Sequence, residues 1–343
     1  MKTELLKIDS PQDTENLRRA AEVLRRGGLC GIPTETVYGL AANALDETAV
    51  KKIFAAKGRP QDNPLIVHIS STDELPALVR EIPPEAKALA AAFWPGPLTM
   101  VLPKADCIPD AVSCGLDTVA IRMPSHPIAN AIIRTAGIPL AAPSANTSGK
   151  PSPTTAEHVL HDMDGKIDMI VDGGACSVGV ESTVVTLCTA PPRLLRPGGV
   201  TLEMLRDVLG VVDVDKAVLG ELERGEKPSS PGMKYKHYSP DADVKLIRGS
   251  LASFARYAQS FPVSETLILC FDGEESAFAN ETIPLGAAAD AAAHAQRIFR
   301  ALRDADERGF KTVLVHCPDD RGVDLAVLNR LLRAAAFQVV DTE

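Results

Sequence analysis

The stretch Pro33–Ile69 reads PTETVYGLAANALDETAVKKIFAAKGRPQDNPLIVHI. It packs Thr34, Glu35, Thr36 and Tyr38 into a tight polar turn, then places Lys51, Lys52, Lys57 and Arg59 within nine residues with no acid among them. Asn63 and His68 follow at once. The turn comes directly after Leu29–Ile32, a short apolar run that reads as a buried strand ending at Pro33. Asp46 suits the N-cap of a helix. Ala49, Val50, Ile53 and Phe54 recur at helical spacing as its apolar face, and Gly58 suits the left-handed residue after its end. Lys57 and Arg59 then stand at the helix exit rather than along its solvated side. Leu65–Ile69 reads as a second strand. Hydroxyl, ammonium, guanidinium, amide and imidazole groups gathered this closely suit a polyanion and a small polar substrate better than a packing surface.

The same grammar extends both ways. Ser10-Pro11 and Asp13 open a first helix that carries Leu17, Ala20, Ala21 and Leu24 and stops at Gly27-Gly28. Leu98–Leu102, Val119–Arg122, Leu140–Ala142, Met169–Val171 and Thr183–Leu187 are strand-like, while Pro84–Phe93 and Ile128–Ala136 are helix-like. The spacing is too irregular for a series of βαβ repeats, so a mixed sheet is expected. From about Val211 the character changes, and residues 221–243, ELERGEKPSSPGMKYKHYSPDAD, read as a linker. Strands at Val244–Ile247, Leu267–Cys270, Val313–His316 and Gln338–Val340 then alternate with helices near Leu251–Gln259, Ala287–Arg308 and Leu325–Ala335. The fold class is α/β: an N-terminal twisted mixed sheet with flanking helices, and a small C-terminal Rossmann-like domain with a parallel sheet. The expected division is 10–210, a linker or lid at 211–243, and 244–343. The linker interleaves Met233, Tyr235, His237 and Tyr238 with Lys234 and Lys236. It is either a loop docked by its aromatics or a lid over a nucleotide site.

With 343 residues the chain has room for two domains. Its net charge of -9 argues against general coating of nucleic acid or anionic membrane and leaves room for a local basic cluster. The seven cysteines are odd in number and form no CxxC, which fits reduced thiols in a cytoplasm rather than disulfides or a zinc site. No segment has signal-peptide character or approaches the ~20 apolar residues of a membrane span.

A second polar cluster, Pro143-Ser-Ala-Asn-Thr-Ser-Gly-Lys150 with Ser152, follows the strand-like Leu140–Ala142. Such a loop can cradle phosphate oxygens with hydroxyls and backbone N–H groups, or can be an ordinary turn. No GxxxxGK[ST], GxGxxG, HExxH or GxSxG is present, which weighs against P-loop, dinucleotide oxidoreductase, zincin and serine-hydrolase chemistry. Thr118, Arg122, Ser182 and Arg196 stand at strand ends. Arg122 follows Val119-Ala120-Ile121, so its guanidinium can grip a carboxylate bidentately; a buried structural ion pair is the alternative. His68, inside an apolar strand, is either a satisfied core histidine or a substrate contact.

Taken together, Pro33-Thr-Glu-Thr-Val-Tyr-Gly-Leu40, Lys57-Gly-Arg-Pro60 with Asn63-Pro-Leu-Ile-Val-His68, and Ser144-Ala-Asn146 closely resemble the YrdC/Sua5 family. The resemblance runs on through Val180-Glu-Ser-Thr-Val-Val185 and Leu195-Arg-Pro-Gly198 and covers about residues 10–210. Ser230-Pro-Gly-Met-Lys-Tyr-Lys-His-Tyr-Ser-Pro240 is similar to the long Sua5 branch, which carries an extra C-terminal domain. The resemblance implies an L-threonylcarbamoyladenylate synthase, a nucleotidyltransferase that joins L-threonine, bicarbonate and ATP and releases pyrophosphate. Its product would pass to the machinery that installs N6-threonylcarbamoyladenosine in tRNA. Lys57 and Arg59 would be the catalytic cations. Thr36, His68, Arg122, Ala142 and Ser182 would hold L-threonine. Lys57, Arg59, Asn63, Thr118, Ser144, Asn146, Ser152, Arg196 and the lid residue Tyr235 would hold ATP. Mg2+ would bridge the ATP phosphates, with no metal ligand from protein side chains. His68 is a weak candidate for a general base. The competing reading is a double-stranded RNA or tRNA-binding module without catalysis; direct tRNA contact is compatible with the synthase reading but not required by it. A hydrogenase-maturation carbamoyltransferase is disfavoured by the missing CxxC repeats, and a regulatory nucleotide binder is a further alternative.

Overall fold

The Asp46 carboxylate accepts from the amides of Thr48 and Ala49, and the helix it caps runs Glu47–Lys57 until Gly58 leaves it at φ 62°. This is the organisation expected from the sequence, and along the chain the helix connects two strands of a large sheet. The computed structural model describes residues 2–220 and 237–342. Two units make up the chain: residues 2–148 with Ser152–Val218, and Gly149–Pro151 with the residues from 237 onward.

The first unit is built on eleven strands: β1 (Glu4–Lys7), β2 (Cys30–Ile32), β3 (Gly39–Asn43), β4 (Ile66–His68), β5 (Leu98–Pro103), β6 (Thr118–Arg122), β7 (Leu140–Ala141), β8 (Met169–Asp172), β9 (Thr183–Thr186), β10 (Arg193–Arg196) and β11 (Asp213–Val214). They lie in the order β1-β8-β2-β3-β7-β4-β6-β5-β9-β10-β11. Parallel pairs such as β4–β6 and β5–β9 alternate with antiparallel pairs such as β4–β7 and β5–β6, so the sheet is mixed, as expected. β3 is an addition: its Gly-Leu-Ala-Ala-Asn run has no β-branched residue, and the sequence reading left it between the polar turn and the helix. It forms a strand because β2 and β7 pair with its two edges.

The period-2 alternation of the strands decides where polar groups go. Across β4, β6 and β5, Val67, Ile121 and Met100 align and face the principal core, with Leu98, Leu102, Val119 and Val185. Ile66, Ala120 and Val101 align on the opposite face, with Val184 of β9. Two residues further along that face the row becomes His68, Arg122 and Thr99, again in register. Nearer β1, the helices Thr14–Arg25 and Pro127–Ala136 pack Leu17, Leu24, Ile128 and Ile132 with Cys30, Ile32 and Ala41.

The second unit holds β12 (Asp243–Arg248), β13 (Thr266–Cys270), β14 (Glu281–Pro284), β15 (Thr312–His316) and β16 (Val339–Asp341), in the order β14-β13-β15-β12-β16 with every pair parallel. Its helices Leu251–Ala258, Ala291–Glu307 and Asp324–Ala334 fall where the alternation placed them. Tyr238 is buried in this unit: its ring lies 5.3 Å from Phe299 and beneath the Arg330 guanidinium at 5.8 Å. That aromatic is docked, whereas Tyr235, with the rest of 221–236 in the expected linker or lid, lies outside the described residues.

Gly198 sets one local requirement. A Cβ there would come within 2.3 Å of the Thr183 amide nitrogen and 2.6 Å of the Glu181 carbonyl oxygen, both backbone atoms that cannot rotate away. Gly198→Ala should destabilise the protein by about 1–3 kcal/mol and displace the Glu181–Thr183 segment. A circular-dichroism melt checks this; an unchanged Tm would show that the segment moves aside freely.

Candidate functional site

The Pro33–Tyr38 turn is held by its own hydroxyls. Thr34 Oγ1 donates to the Val37 carbonyl at 2.6 Å and accepts from the Thr36 amide at 3.2 Å. Its single proton is thereby used, so in the 2.9 Å contact between the two hydroxyls Thr36 is the donor. The segment between β8 and β9 closes the turn: the Val178 amide donates to the Glu35 carbonyl at 2.7 Å and the Gly179 amide to the Thr36 carbonyl at 3.1 Å. The Tyr38 hydroxyl donates to the Gly174 carbonyl at 2.7 Å. Thr34, Glu35 and Thr36 are all buried.

The polar row on the sheet meets this turn. Arg122 Nη1 donates to Thr36 Oγ1 at 2.9 Å, and Nη2 stands 2.7 Å from Glu35 Oε1 with both side chains buried. That approach is a close ion pair short of full hydrogen-bond geometry at either Glu35 oxygen or at Arg122 Nη2, with the Ser125 main chain also near the carboxylate. Burial pushes the Glu35 carboxyl up, but the Arg122 charge, the Arg122 side-chain contact and the Glu35 and Ser125 main chain together outweigh it and hold the group below the usual carboxylate range. The buried ion pair that the sequence left open for Arg122 therefore exists, and its acid is Glu35. Beside Arg122, His68 Nδ1 contacts its neighbouring Ile66 carbonyl at 3.2 Å; a carbonyl only accepts, so Nδ1 carries the proton and Nε2 the lone pair. Burial first, then the Arg122 charge, push His68 down to about 3. It is a neutral acceptor across the neutral pH range and a poor general base, which weighs against the base role expected of it. On the other side of Arg122, Thr99 and Ser182 share a hydroxyl contact at 2.8 Å, and Arg196 donates to the Ser182 carbonyl at 3.0 Å and to its hydroxyl at 3.2 Å.

A second contact set surrounds Lys57. Lys57 follows Ile53 by one helical turn, so its side chain lies on the buried stripe of the helix. Its ammonium donates to the carbonyls of Ser144 and, at 2.5 Å, Asn146, and reaches Asn146 Oδ1 at 3.3 Å. Ser144 Oγ donates to that same Oδ1 at 2.6 Å. Lys57 thus shapes the Ser144–Asn146 loop from inside. Arg59 donates from Nε to the Asn63 carbonyl at 3.2 Å and from Nη2 to the Pro64 carbonyl at 3.1 Å, clipping its own loop, and the buried Asn63 Oδ1 has no hydrogen-bond partner. Lys51 pairs with Glu47 on the surface and Lys52 donates to the Gly27 carbonyl, so the four cations of the opening stretch do not form one basic patch. The sequence reading treated them as a group because helical phase, which separates them, is not visible in a count.

The contact sets are tied by main chain. Gly39 bridges to Ser144, the Ala145 amide donates to the Tyr38 carbonyl at 2.8 Å, and the Ala142 amide donates to the Ile66 carbonyl at 2.9 Å. Ser152 donates to Glu181 in the segment that leads into Ser182. Thr118 begins β6, two alternations before Arg122 on the same face. Thr36, His68, Arg122, Ser182 and Arg196 therefore join one side of the sheet, and Lys57, Ser144 and Asn146 join the loop beside it; Tyr235 lies outside the described residues. Glu35 and Glu181 are the residues that sequence reasoning passed over. Glu35 is the only acid within Pro33–Leu40, which was the available signal. Among the described residues, no group of three or more His, Cys, Asp or Glu side chains could hold a metal ion.

A family model described as "Telomere recombination", covering Sua5, YciO and YrdC proteins, matches residues 22–198, and one described as "Threonylcarbamoyl-AMP synthase, C-terminal domain" matches residues 200–336. The chain belongs to the Sua5/YrdC family. It is 47% identical to the threonylcarbamoyl-AMP synthase of Pyrococcus abyssi over 94% of this chain and 95% of the relative. It is 46% identical to that of Bacillus subtilis, over 98% and 97%. The crystal structure of P. abyssi Sua5 complexed with L-threonine superposes with a TM-score of 0.92 at 44% identity, covering 99% of this chain and all of that one.

The His68 environment predicts a pH effect. Its folded pKa of about 3 lies below the ordinary value of 6.5, so the folded state binds fewer protons there than the unfolded state. Its contribution is complete above about 6.5 and is lost as pH falls toward 3. Stability measured by urea titration should fall across that window, and less steeply in His68→Gln; an equal slope in the variant would contradict burial of a neutral imidazole.

Proposed function

We propose that the chain is an L-threonylcarbamoyladenylate synthase. The observation that carries this reading is the junction of Thr36 and Arg122 beside His68 and Ser182, in a chain that belongs to the Sua5/YrdC family over its length. The threonine amine attacks bicarbonate to give a carbamate and water. A carbamate oxygen then attacks the α-phosphorus of ATP, and pyrophosphate leaves. No covalent enzyme intermediate is needed, so positioning and charge neutralisation do the chemistry.

In this reading Arg122 takes the amino-acid carboxylate, His68 Nε2 accepts a hydrogen bond from a substrate donor, and the Thr36 and Ser182 hydroxyls complete the threonine site with the backbone at Ala142. ATP arrives as its Mg2+ complex, with the metal on its phosphates. The loop shaped by Lys57, bearing Ser144 and Asn146, receives phosphate and ribose oxygens, with Arg59, Asn63, Thr118, Ser152, Arg196 and Tyr235 as the remaining nucleotide contacts. Lys57 and Arg59 supply the positive field for the triphosphate. The labile product passes to the tRNA-modifying transferase. No described helix is long and apolar enough to cross a membrane, and a cytoplasmic location suits this role.

Incubation with labelled bicarbonate, MgATP and L-threonine should yield a labelled adenylate and threonine-dependent pyrophosphate. Binding of tRNA without that turnover would overturn the reading in favour of an RNA-binding module. Arg122→Lys keeps a cation beside Glu35 but loses the bidentate fork, so it should raise KM for threonine about tenfold or more while leaving KM for ATP within about twofold. Equal effects on both substrates would remove Arg122 from the carboxylate role.

A further inference from the structure

Four buried polar atoms around the Pro33–Tyr38 turn meet no partner at full hydrogen-bond geometry: both carboxylate oxygens of Glu35, Nη2 of Arg122, and Nδ1 of His126, although Arg122 and the Ser125 main chain stand close enough to Glu35 to lower its pKa. Native structures leave few such atoms, and a cluster of them marks a place where a ligand or water completes the set. Neither Glu35 nor Arg122 is free to look elsewhere. The Glu35 main chain is pinned by Val178, and Arg122 is held through Nη1 by Thr36 and lies within 3.4 Å of the Gly96 carbonyl through Nε. Their 2.7 Å approach satisfies charge but not hydrogen bonding.

We infer that Glu35 receives the α-ammonium of the amino-acid substrate while Arg122 receives its carboxylate, so that the zwitterion inserts into a buried ion pair of matching sense. This rests on the synthase reading and deepens it. The exchange keeps the pocket neutral: each protein charge gives up one opposite partner and gains another, so no charge is left buried alone. It also completes three of the four atoms, those of Glu35 and Arg122. The ammonium donates to the Glu35 oxygens, and the carboxylate accepts from Nη2. A carboxylic acid without an α-amine would leave Glu35 uncompensated, and an amine without a carboxylate would leave Arg122 so. The site therefore selects α-amino acids before the side-chain hydroxyl is read, and it fixes the nitrogen that attacks bicarbonate once the ammonium has given up a proton to water. Glu35 acts here as a binding and positioning residue.

The test is equilibrium binding to the full chain of L-threonine, of 3-hydroxybutanoate (threonine without its amine) and of ATP. Wild type should prefer L-threonine over the desamino acid by about 30-fold or more, as expected for a buried charge-assisted contact. Glu35→Gln should lose most of that preference by weakening L-threonine alone, with ATP affinity unchanged, and Glu35→Asp should recover part of it. Should Glu35→Gln fail to fold by circular dichroism, Glu35→Asp carries the comparison, with a reduced preference expected. A preference retained in full, or equal loss of both acids, would overturn the inference. If wild type makes the labelled adenylate while Glu35→Gln keeps full discrimination, only the Glu35 role falls. If wild type makes no adenylate yet discriminates through Glu35, the synthase reading falls and the binding site stands.

Discussion

The buried approach of Arg122 to Glu35 is the constraint on which the site depends. A guanidinium and a carboxylate removed from water each carry a desolvation cost of several kcal/mol, which their attraction offsets only while they remain together. The fold supplies the two charges from distant places: Arg122 closes β6, and Glu35 sits in the turn between β2 and β3. Holding them together requires that turn to be rigid. Its rigidity comes from the Thr34–Thr36 hydroxyl chain and from the Val178 and Gly179 amides behind it.

The sheet supplies the rest through register. Because β4, β6 and β5 pair with His68, Arg122 and Thr99 side by side, one alternation of the pleat converts an apolar face into a polar row. A one-residue slip in β6 would turn Arg122 into the principal core and Ile121 out to the substrate side. The core residues Val67, Ile121 and Met100 therefore protect the chemistry by making that slip costly. The helix Glu47–Lys57 works in the same way on the neighbouring loop: its phase directs Lys57 inward, where three oxygens of the Ser144–Asn146 loop organise about one ammonium.

Local chemistry was legible in the sequence wherever a residue's role is decided by its near neighbours. Asp46 as a cap, Gly58 as a left-handed exit, Lys57 and Arg59 at the helix end, and the parallel strands of the second unit all follow from spacing. What was hidden depends on partners far along the chain. β3 has weak strand propensity and exists because β2 and β7 flank it. The Arg122–Thr36 bond spans 86 residues, so the sequence offered Arg122 either a carboxylate to grip or a buried ion pair with no acid named, and Glu35, the lone acid of its turn, was not linked to it. The grouping of Lys51, Lys52, Lys57 and Arg59 failed for a different reason. Proximity in sequence on a helix means divergence in space, and each of the four points to a different partner.

The most direct measurement is a crystal structure of this chain with L-threonine and a non-hydrolysable ATP analogue. The account predicts the amino-acid carboxylate on Arg122 and the nucleotide phosphates beside Ser144 and Asn146, both within the first unit. An amino acid bound elsewhere, with Arg122 still closed on Glu35, would contradict it.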